Sequence, residues 1–338
     1  MEIQKDISLK KYNTFGIDAK AKFFCEINSI AALKKVISLK GYPELFVLGG
    51  GSNLLITKDL ENLVLHINLK GIEVISENRD EAIIKVNAGE NWHHMVLWTL
   101  ERDYGGLENL SLIPGNTGTA PIQNIGAYGV ELKDSFVSCE AMEIATRKLK
   151  TFTKGECRFG YRDSYFKNEG AGKHIITSVN FKLTKRNHQL NVDYGAIVSE
   201  LQNNGITDPG IKDISNAVIS IRRSKLPDPK ELGNSGSFFK NPVVDGKQFE
   251  KFMTLNPAAP YYKVSESEFK IPAGWLIEQC GYKGKRFGDA GVHKDQALVL
   301  VNYGDATGKD IIALAENIMD SVLKRFGIMI DPEVNIIK

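Results

Sequence analysis

An α+β fold is predicted by three features of the chain. Strand and helix patterns alternate over residues 29–100, residues 137–184 carry short apolar runs between polar turns as antiparallel strands do, and the last third mixes short elements with one long amphipathic helix. That order suits separate α+β domains better than one doubly wound parallel sheet.

Ser29 precedes Ile30-Ala31-Ala32-Leu33-Lys34-Lys35-Val36-Ile37, whose apolar spacing predicts a capped helix. Leu45 to Leu48 then reads as a buried strand running into glycines, and Leu63 to Ile67 and Ile83 to Val86 as further strands. Asn91 can cap a helix that sets Trp92, Met95, Val96 and Leu100 on one side. Strands are predicted at Ala141 to Ile144 and Ile175 to Val179. Asp208-Pro209 opens a helix bearing Ile211, Ile214, Val218 and Ile221. Lys225-Leu226-Pro227-Asp228-Pro229 cannot continue it, because each proline lacks an amide donor and restrains its predecessor, and a domain boundary is placed there. Beyond it come a helix beginning near Pro272, a strand at Ala297 to Val301, and a helix with Ile311, Leu314, Ala315, Ile318, Val322 and Phe326 on one face, ended by Gly327.

The 338 residues, 42% hydrophobic and 25% charged, are enough for two or three domains with real cores. Forty-three basic against forty-one acidic residues leave a net charge of +2, so no global field favours nucleic acid or a membrane surface, and an anionic ligand must be held locally. Cys25, Cys139, Cys157 and Cys280 are scattered, without zinc spacing, which fits reduced thiols and no metal centre. Met1 to Asp6 is charged rather than apolar and no run approaches membrane-spanning length, so a cytoplasmic chain is expected.

Gly49-Gly50-Gly51-Ser52-Asn53 follows a strand and fits either a tight turn or a loop whose amides approach a phosphate; it lacks the third glycine of G-x-G-x-x-G. Ile113 to Gly129 is a long glycine-studded segment with little strand or helix period. It is either an elaborate structural loop or one whose backbone is satisfied by a pyrophosphate and a ring with polar edges. Gly170-Ala171-Gly172-Lys173-His174 lacks the first glycine and the hydroxyl of a P-loop, and Gly233-Asn234-Ser235-Gly236-Ser237 lacks the closing glycine of a nucleophile elbow. Arg158 to Ser164 mixes two cations with aromatics and a glycine, suited to an anionic substrate at a turn or to a surface ion-pair cluster. His93 and His94 point in different directions on a helix, which argues against joint metal ligation and for packing or exposure.

Taken in order, Asn13-Thr14-Phe15-Gly16, Gly49 to Asn53, Gly89-Glu90-Asn91-Trp92, Gly106-Leu107-Glu108-Asn109, Pro121 to Gly129, Arg158 to Ser164, Lys225 to Pro229, Gly236 to Pro242, Ala273 to Ile277 and Pro332-Glu333-Val334 resemble the UDP-N-acetylenolpyruvoylglucosamine reductase family over nearly the whole chain. The resemblance implies FAD as cofactor, NADPH as hydride-donating cosubstrate, and reduction of UDP-N-acetylglucosamine enolpyruvate to UDP-N-acetylmuramate for peptidoglycan. It also implies a monomer that acts on a UDP-sugar. Three domains follow: residues 1–70 with 327–338, and 71–224, forming an FAD-binding module of the vanillyl-alcohol-oxidase type, and 225–326, an α+β substrate-binding domain.

By the same resemblance, FAD contacts fall on Gly49, Gly50, Gly51, Ser52, Asn53, Pro114, Gly115, Gly118, Thr119, Gln123, Asn124, Gly126, Ala127 and Arg222. Substrate contacts fall on Tyr161, Lys225, Asn241 and Gln296, and on Tyr194 in an extra loop that covers the substrate. The catalytic residues fall on Arg162, Ser237 and Glu333, with Ser237 as proton donor and the other two stabilising an enolate-like charge. An ionised Glu333 would repel that charge, so it is either protonated or orients a donor, and Lys240 is a neighbouring donor to Ser237. The family often has arginine where this chain has Asn335, removing one anion contact, and small hydroxyl pairs where it has Thr119-Ala120. An FAD-linked oxidase of the same broad fold is the alternative; it would use the glycine loops without needing Ser237.

Overall fold

Ser29 accepts a hydrogen bond from the Ala32 amide and starts the helix Ile30–Ile37, and Asn91 does the same from His94 for Trp92–Glu101, as their positions in the sequence predict. These caps belong to a computed structural model that describes residues 1–338 and is α+β. The chain divides into two units, one formed by Met1–Ile7, Ala21–Gly50 and Glu61–Ser224, the other by Ser8–Lys20, Gly51–Leu60 and Lys225–Lys338.

The first unit holds two sheets. One runs in the order Gln4–Ser8, Lys20–Ile27, Leu60–Ile67, Leu45–Leu48, the last two strands being parallel. The other is antiparallel: Leu149–Thr153, Phe136–Glu143, His174–Thr184, Glu81–Asn87 and Ile72–Glu77. Its inward side chains Ile84, Val86, Cys139, Val179 and Phe181 pack with Trp92, Met95 and Val96, the apolar face of the helix Trp92–Glu101. At about 25 cal/mol per Å², such burial is the main force holding helix to sheet.

Strand pairing extends several sequence predictions, from Leu63 back to Leu60 and from Ala141 back to Phe136. The helix expected to open at Asp208-Pro209 begins at Ile211 and runs to Lys225, because the Asp213 carboxylate, rather than Asp208, accepts the Gly210 amide at 2.8 Å. A division of the chain after Ser224 coincides with the end of that helix.

The second unit is built on an antiparallel sheet, Gly233–Ser237, Val299–Asn302, Ala290–Val292 and Arg286–Phe287. The helix Gly308–Phe326 packs on it through Ile311, Leu314, Ala315, Ile318 and Val322; a Thr307/Asp310 capping box begins it and Gly327, at φ 67°, ends it. Asn335–Ile337 runs parallel to Leu54–Ile56. Those hydrogen bonds join Gly51–Leu60 to the unit that contains residues 225–338.

Candidate active site

Candidate site residues fall in both units. In the first, the strand Leu45–Leu48 delivers Gly49 and Gly50 against the second glycine-bearing segment. A Cβ on Gly50 would stand 2.8 Å from Gly115 Cα and 3.0 Å from Asn116 N, and one on Gly49 would run into the Thr119 methyl carbon. Glycine is thus required for the two backbones to lie side by side.

Residues 113–129 are more regular than the sequence suggests. Thr117–Gln123 is a 3-10 helix, and Gly126–Ala127 pairs with Val130–Glu131. The Thr119 amide bonds to Asn116 C=O, the three-residue step of that helix, while Pro121 has no amide to continue an α-helix. The segment is fixed by its neighbours: Thr117 N–H donates to Glu90 C=O at 2.8 Å, Gly118 N–H to Ala88 C=O at 2.9 Å, and Trp92 N–H to Gly115 C=O at 3.0 Å.

The turn at Gly160–Asp163 is bonded to the same segment on both sides. Asn124 Nδ2 donates to Gly160 C=O at 3.0 Å and Ser164 Oγ to Ile122 C=O at 2.6 Å. The tip carries Tyr161, 57% exposed, and Arg162, whose backbone takes the left-handed conformation at φ 54°. The two cations of this motif have different roles. Arg158 is exposed and bound to the Glu169 carboxylate, the surface-pair reading, whereas Arg162 sits near enough to Arg222 to disfavour its charge.

Arg222, on the helix Ile211–Lys225, is half-buried. Its Nε donates to Leu112 C=O at 3.1 Å and it hydrogen-bonds the Tyr128 hydroxyl; neither partner is a carboxylate. Burial and Arg162 both press its pKa down, and burial pushes the Tyr128 phenol up. A half-buried guanidinium without a counter-ion fits a phosphate. Tyr194, at the start of the helix Gly195–Asn203, lays its ring edge-on to Tyr128 at 5.3 Å, and Asn109 Nδ2 bonds both Tyr128 and Asn191 carbonyls.

In the second unit, three distant segments meet through backbone hydrogen bonds. Gly51, at φ 62°, accepts from the Thr14 amide, and a Cβ there would strike Tyr12 C=O. Glu333 N–H donates to Phe238 C=O at 2.7 Å, setting Glu333 beside the residue that follows Ser237. Asn53 Nδ2 donates to Glu333 C=O at 3.3 Å, and Asn335 returns two bonds to Asn53 C=O, at 3.1 Å from its amide and 2.9 Å from Nδ2. Asn53 and Phe238, the chain neighbours of Ser52 and Ser237, thus share Glu333 as a hydrogen-bond partner. Where the sequence marks Asn335 as a lost anion contact, the structure gives it this fastening role. Lys240 N–H bonds to Asp331 C=O at 2.9 Å, which anchors its backbone to the same C-terminal segment.

Asn241 and Gln296 converge on the start of the helix Ala273–Gln279. Asn241 Oδ1 accepts the Ala273 amide at 2.9 Å, and Gln296 Oε1 lies 3.4 Å from where a Gly274 Cβ would be. Lys225 is exposed at the last residue of its helix.

His93 is the residue whose part the sequence reading understates. Its Nδ1 accepts the Leu112 amide at 3.0 Å, and burial together with His94, Arg223 and Arg222 lowers its pKa to about 4. Leu112 is itself left-handed at φ 57°, which costs a bulky residue about 1–2 kcal/mol. No helix here is long and apolar enough to cross a membrane.

Comparison with known proteins gives the family. Residues 228–337 match the family described as UDP-N-acetylenolpyruvoylglucosamine reductase, C-terminal domain, and residues 23–152 match an FAD binding domain. The chain is 59% identical over 337 residues to the UDP-N-acetylenolpyruvoylglucosamine reductase of Flavobacterium johnsoniae, covering 100% of both chains. It is 48% identical over 336 residues to that of Pseudomonas putida, covering 98% of each. Its fold is similar to that of UDP-N-acetylenolpyruvylglucosamine reductase from Thermus caldophilus, with a TM-score of 0.69 at 24% identity and 100% coverage of both chains.

Proposed function

The chain belongs to the UDP-N-acetylenolpyruvoylglucosamine reductase family, and from that membership we propose that it is the oxidoreductase that reduces UDP-N-acetylglucosamine enolpyruvate to UDP-N-acetylmuramate, a peptidoglycan precursor. FAD is its cofactor and NADPH its hydride donor. When bound, the flavin supplies hydride transfer from NADPH to the substrate. The residues that would hold it are Gly49, Gly50, Gly51, Ser52 and Asn53, the segment from Pro114 to Ala127, and Arg222. The donor set fits a pyrophosphate, since close-packed glycine backbones carry amides and a half-buried guanidinium lacks a carboxylate partner.

The chemistry left to the protein is placement of charge and of one proton. Hydride addition to the enolpyruvyl methylene leaves negative charge shared with the neighbouring carboxylate, and the carbon next to that carboxylate must gain a proton. Arg162 offers a guanidinium fork to the developing charge, and Ser237 Oγ donates the proton. A serine hydroxyl is a very weak acid, so its proton moves in step with charge forming on substrate. Glu333 stabilises or orients the donor from beside Ser237. The observation that carries this reading is the Glu333 to Phe238 backbone bond, which brings together two residues far apart in sequence. Asn241 and Gln296, with Lys225, Tyr161 and Tyr194, form the UDP-sugar contacts. The same reading makes the protein a cytoplasmic monomer with the three-part division 1–70 with 327–338, 71–224, and 225–326.

The test is anaerobic. Purified protein should be yellow, bleach on addition of NADPH, and regain its colour when the enolpyruvyl sugar is added. Reoxidation by oxygen but not by the sugar would instead indicate an oxidase.

A further inference from the structure

Leu112 stands at the entrance to residues 113–129, and its two backbone polar groups are claimed by two side chains from distant positions. Its N–H goes to His93 Nδ1 at 3.0 Å and its C=O receives Arg222 Nε at 3.1 Å. Its left-handed conformation, at φ 57°, takes its peptide groups out of any helix or strand ladder, so these side chains satisfy groups that regular structure does not. The adjacent Trp92 grips the same stretch, donating from its backbone to Gly115 C=O at 3.0 Å and from Nε1 to Leu110 C=O at 2.8 Å.

We propose that His93 is a positioning residue for the flavin-binding segment: its Nδ1 lone pair holds the Leu112 amide and, through Leu112, sets the aim of Arg222. This rests on the reading that residues 113–129 and Arg222 contact FAD. An imidazole suits the position for an electrostatic reason. Burial, together with His94, Arg223 and Arg222, keeps the ring neutral, with its proton on Nε2. A carboxylate at 93 would also accept the Leu112 amide, but it would pair with Arg222 and use up the charge that a phosphate needs. A neutral acceptor fixes the loop and leaves the guanidinium for the anion.

Two measurements on the holoenzyme test this. In protein labelled with ¹⁵N histidine, NMR near neutral pH should show His93 Nδ1 without a proton; a protonated Nδ1 overturns the proposal, and this measurement needs no substitution. His93→Phe keeps a ring and removes the acceptor, and should release FAD about tenfold faster, equivalent to about 1.4 kcal/mol. His93→Gln restores a neutral acceptor and should recover most of that loss, which a purely space-filling role would not produce. Gln123→Ala serves as reference within the loop. If it speeds FAD release while His93→Phe does not, the loop reading stands and the role of His93 falls. If neither variant alters release, the loop reading falls and takes the proposal with it.

Discussion

Gly49→Ala examines the contact between the two glycine-bearing segments, and the structure says both what it should cost and how to reverse it. A Cβ at position 49 overlaps one atom severely, the Thr119 methyl carbon, while Thr119 Cβ and Oγ1 stand at 3.8 and 3.9 Å, ordinary contact distances. Forcing a methyl group into a packed site costs about 1–3 kcal/mol. If the cost falls on the flavin-competent state, FAD affinity drops roughly 5- to 150-fold. Thr119→Ser deletes that methyl and keeps the Oγ hydrogen bond to Asn116 C=O at 2.8 Å. Gly49→Ala with Thr119→Ser should therefore lie within about 0.5 kcal/mol of Thr119→Ser alone, a coupling that distant sites do not show. Flavin fluorescence titration gives affinity, and urea unfolding of the apoprotein gives stability. A double variant as weak as Gly49→Ala alone would refute the packing described here. Gly50→Ala is the control: its Cβ would meet the backbone of Gly115 at 2.8 Å and of Asn116 at 3.0 Å, so removing the remaining neighbour, the Asn116 side-chain oxygen at 3.0 Å, should not rescue it.

Ser237→Ala should leave FAD content and the NADPH half-reaction nearly unchanged while slowing reoxidation by the enolpyruvyl sugar by about 10²- to 10⁴-fold, the usual worth of a positioned proton donor; stopped-flow traces of both half-reactions decide it, and unimpaired reoxidation would remove Ser237 from that role. Protonation of His93 should weaken the fold in acid. Its pKa is 6.5 when unfolded and about 4 when folded, so the unfolded chain binds the extra proton between those values. The stability contributed is full above pH 6.5, declines as pH falls toward 4, and is flat below. At 1.36 kcal/mol per pH unit the ceiling is about 3 kcal/mol, discounted to about 1–2 for a ring still partly reached by solvent. Comparing unfolding midpoints of the parent and His93→Gln across pH 4–7 should show a shallower slope in the variant, since His174 and His293, whose pKa values burial also lowers, remain in both. Asn335→Ala removes the Nδ2 bond to Asn53 C=O but leaves the backbone bond at 3.1 Å, so a loss of about 0.5–1.5 kcal/mol is expected in urea unfolding. An unchanged midpoint would mean that this side chain fastens nothing.

The elements most legible in sequence are those whose cause is local. Ser29, Asn91 and Gly327 act within one turn of their helices, and the apolar face from Ile311 to Val322 repeats at helical spacing. The 3-10 helix Thr117–Gln123 has no such period. It depends on carbonyls of Ala88 and Glu90, which a reading of residues 113–129 by themselves does not contain. The start of the helix Ile211–Lys225 shifts because the Asp213 carboxylate, inside its first turn, takes the Gly210 amide, which the Asp208-Pro209 signal does not show. In the candidate site, motif order points to Ser237 and Glu333, but the closeness of Glu333 to Phe238 comes from a backbone hydrogen bond between segments remote in sequence. His93 was opaque for the same reason: its partner is an amide 19 residues away in a left-handed residue that nothing in the sequence marks.

The bonds joining Asn53 to Glu333 and Asn335 also set an order in time. They link positions up to 282 residues apart, so Asn53 cannot be fastened to Glu333 and Asn335 until those residues have been made. At about 5–20 residues per second, synthesis of that interval takes on the order of tens of seconds. Throughout it Asn53 lacks its bonds to Glu333 and Asn335, so a nascent chain holds Asn53 less firmly than the finished fold does.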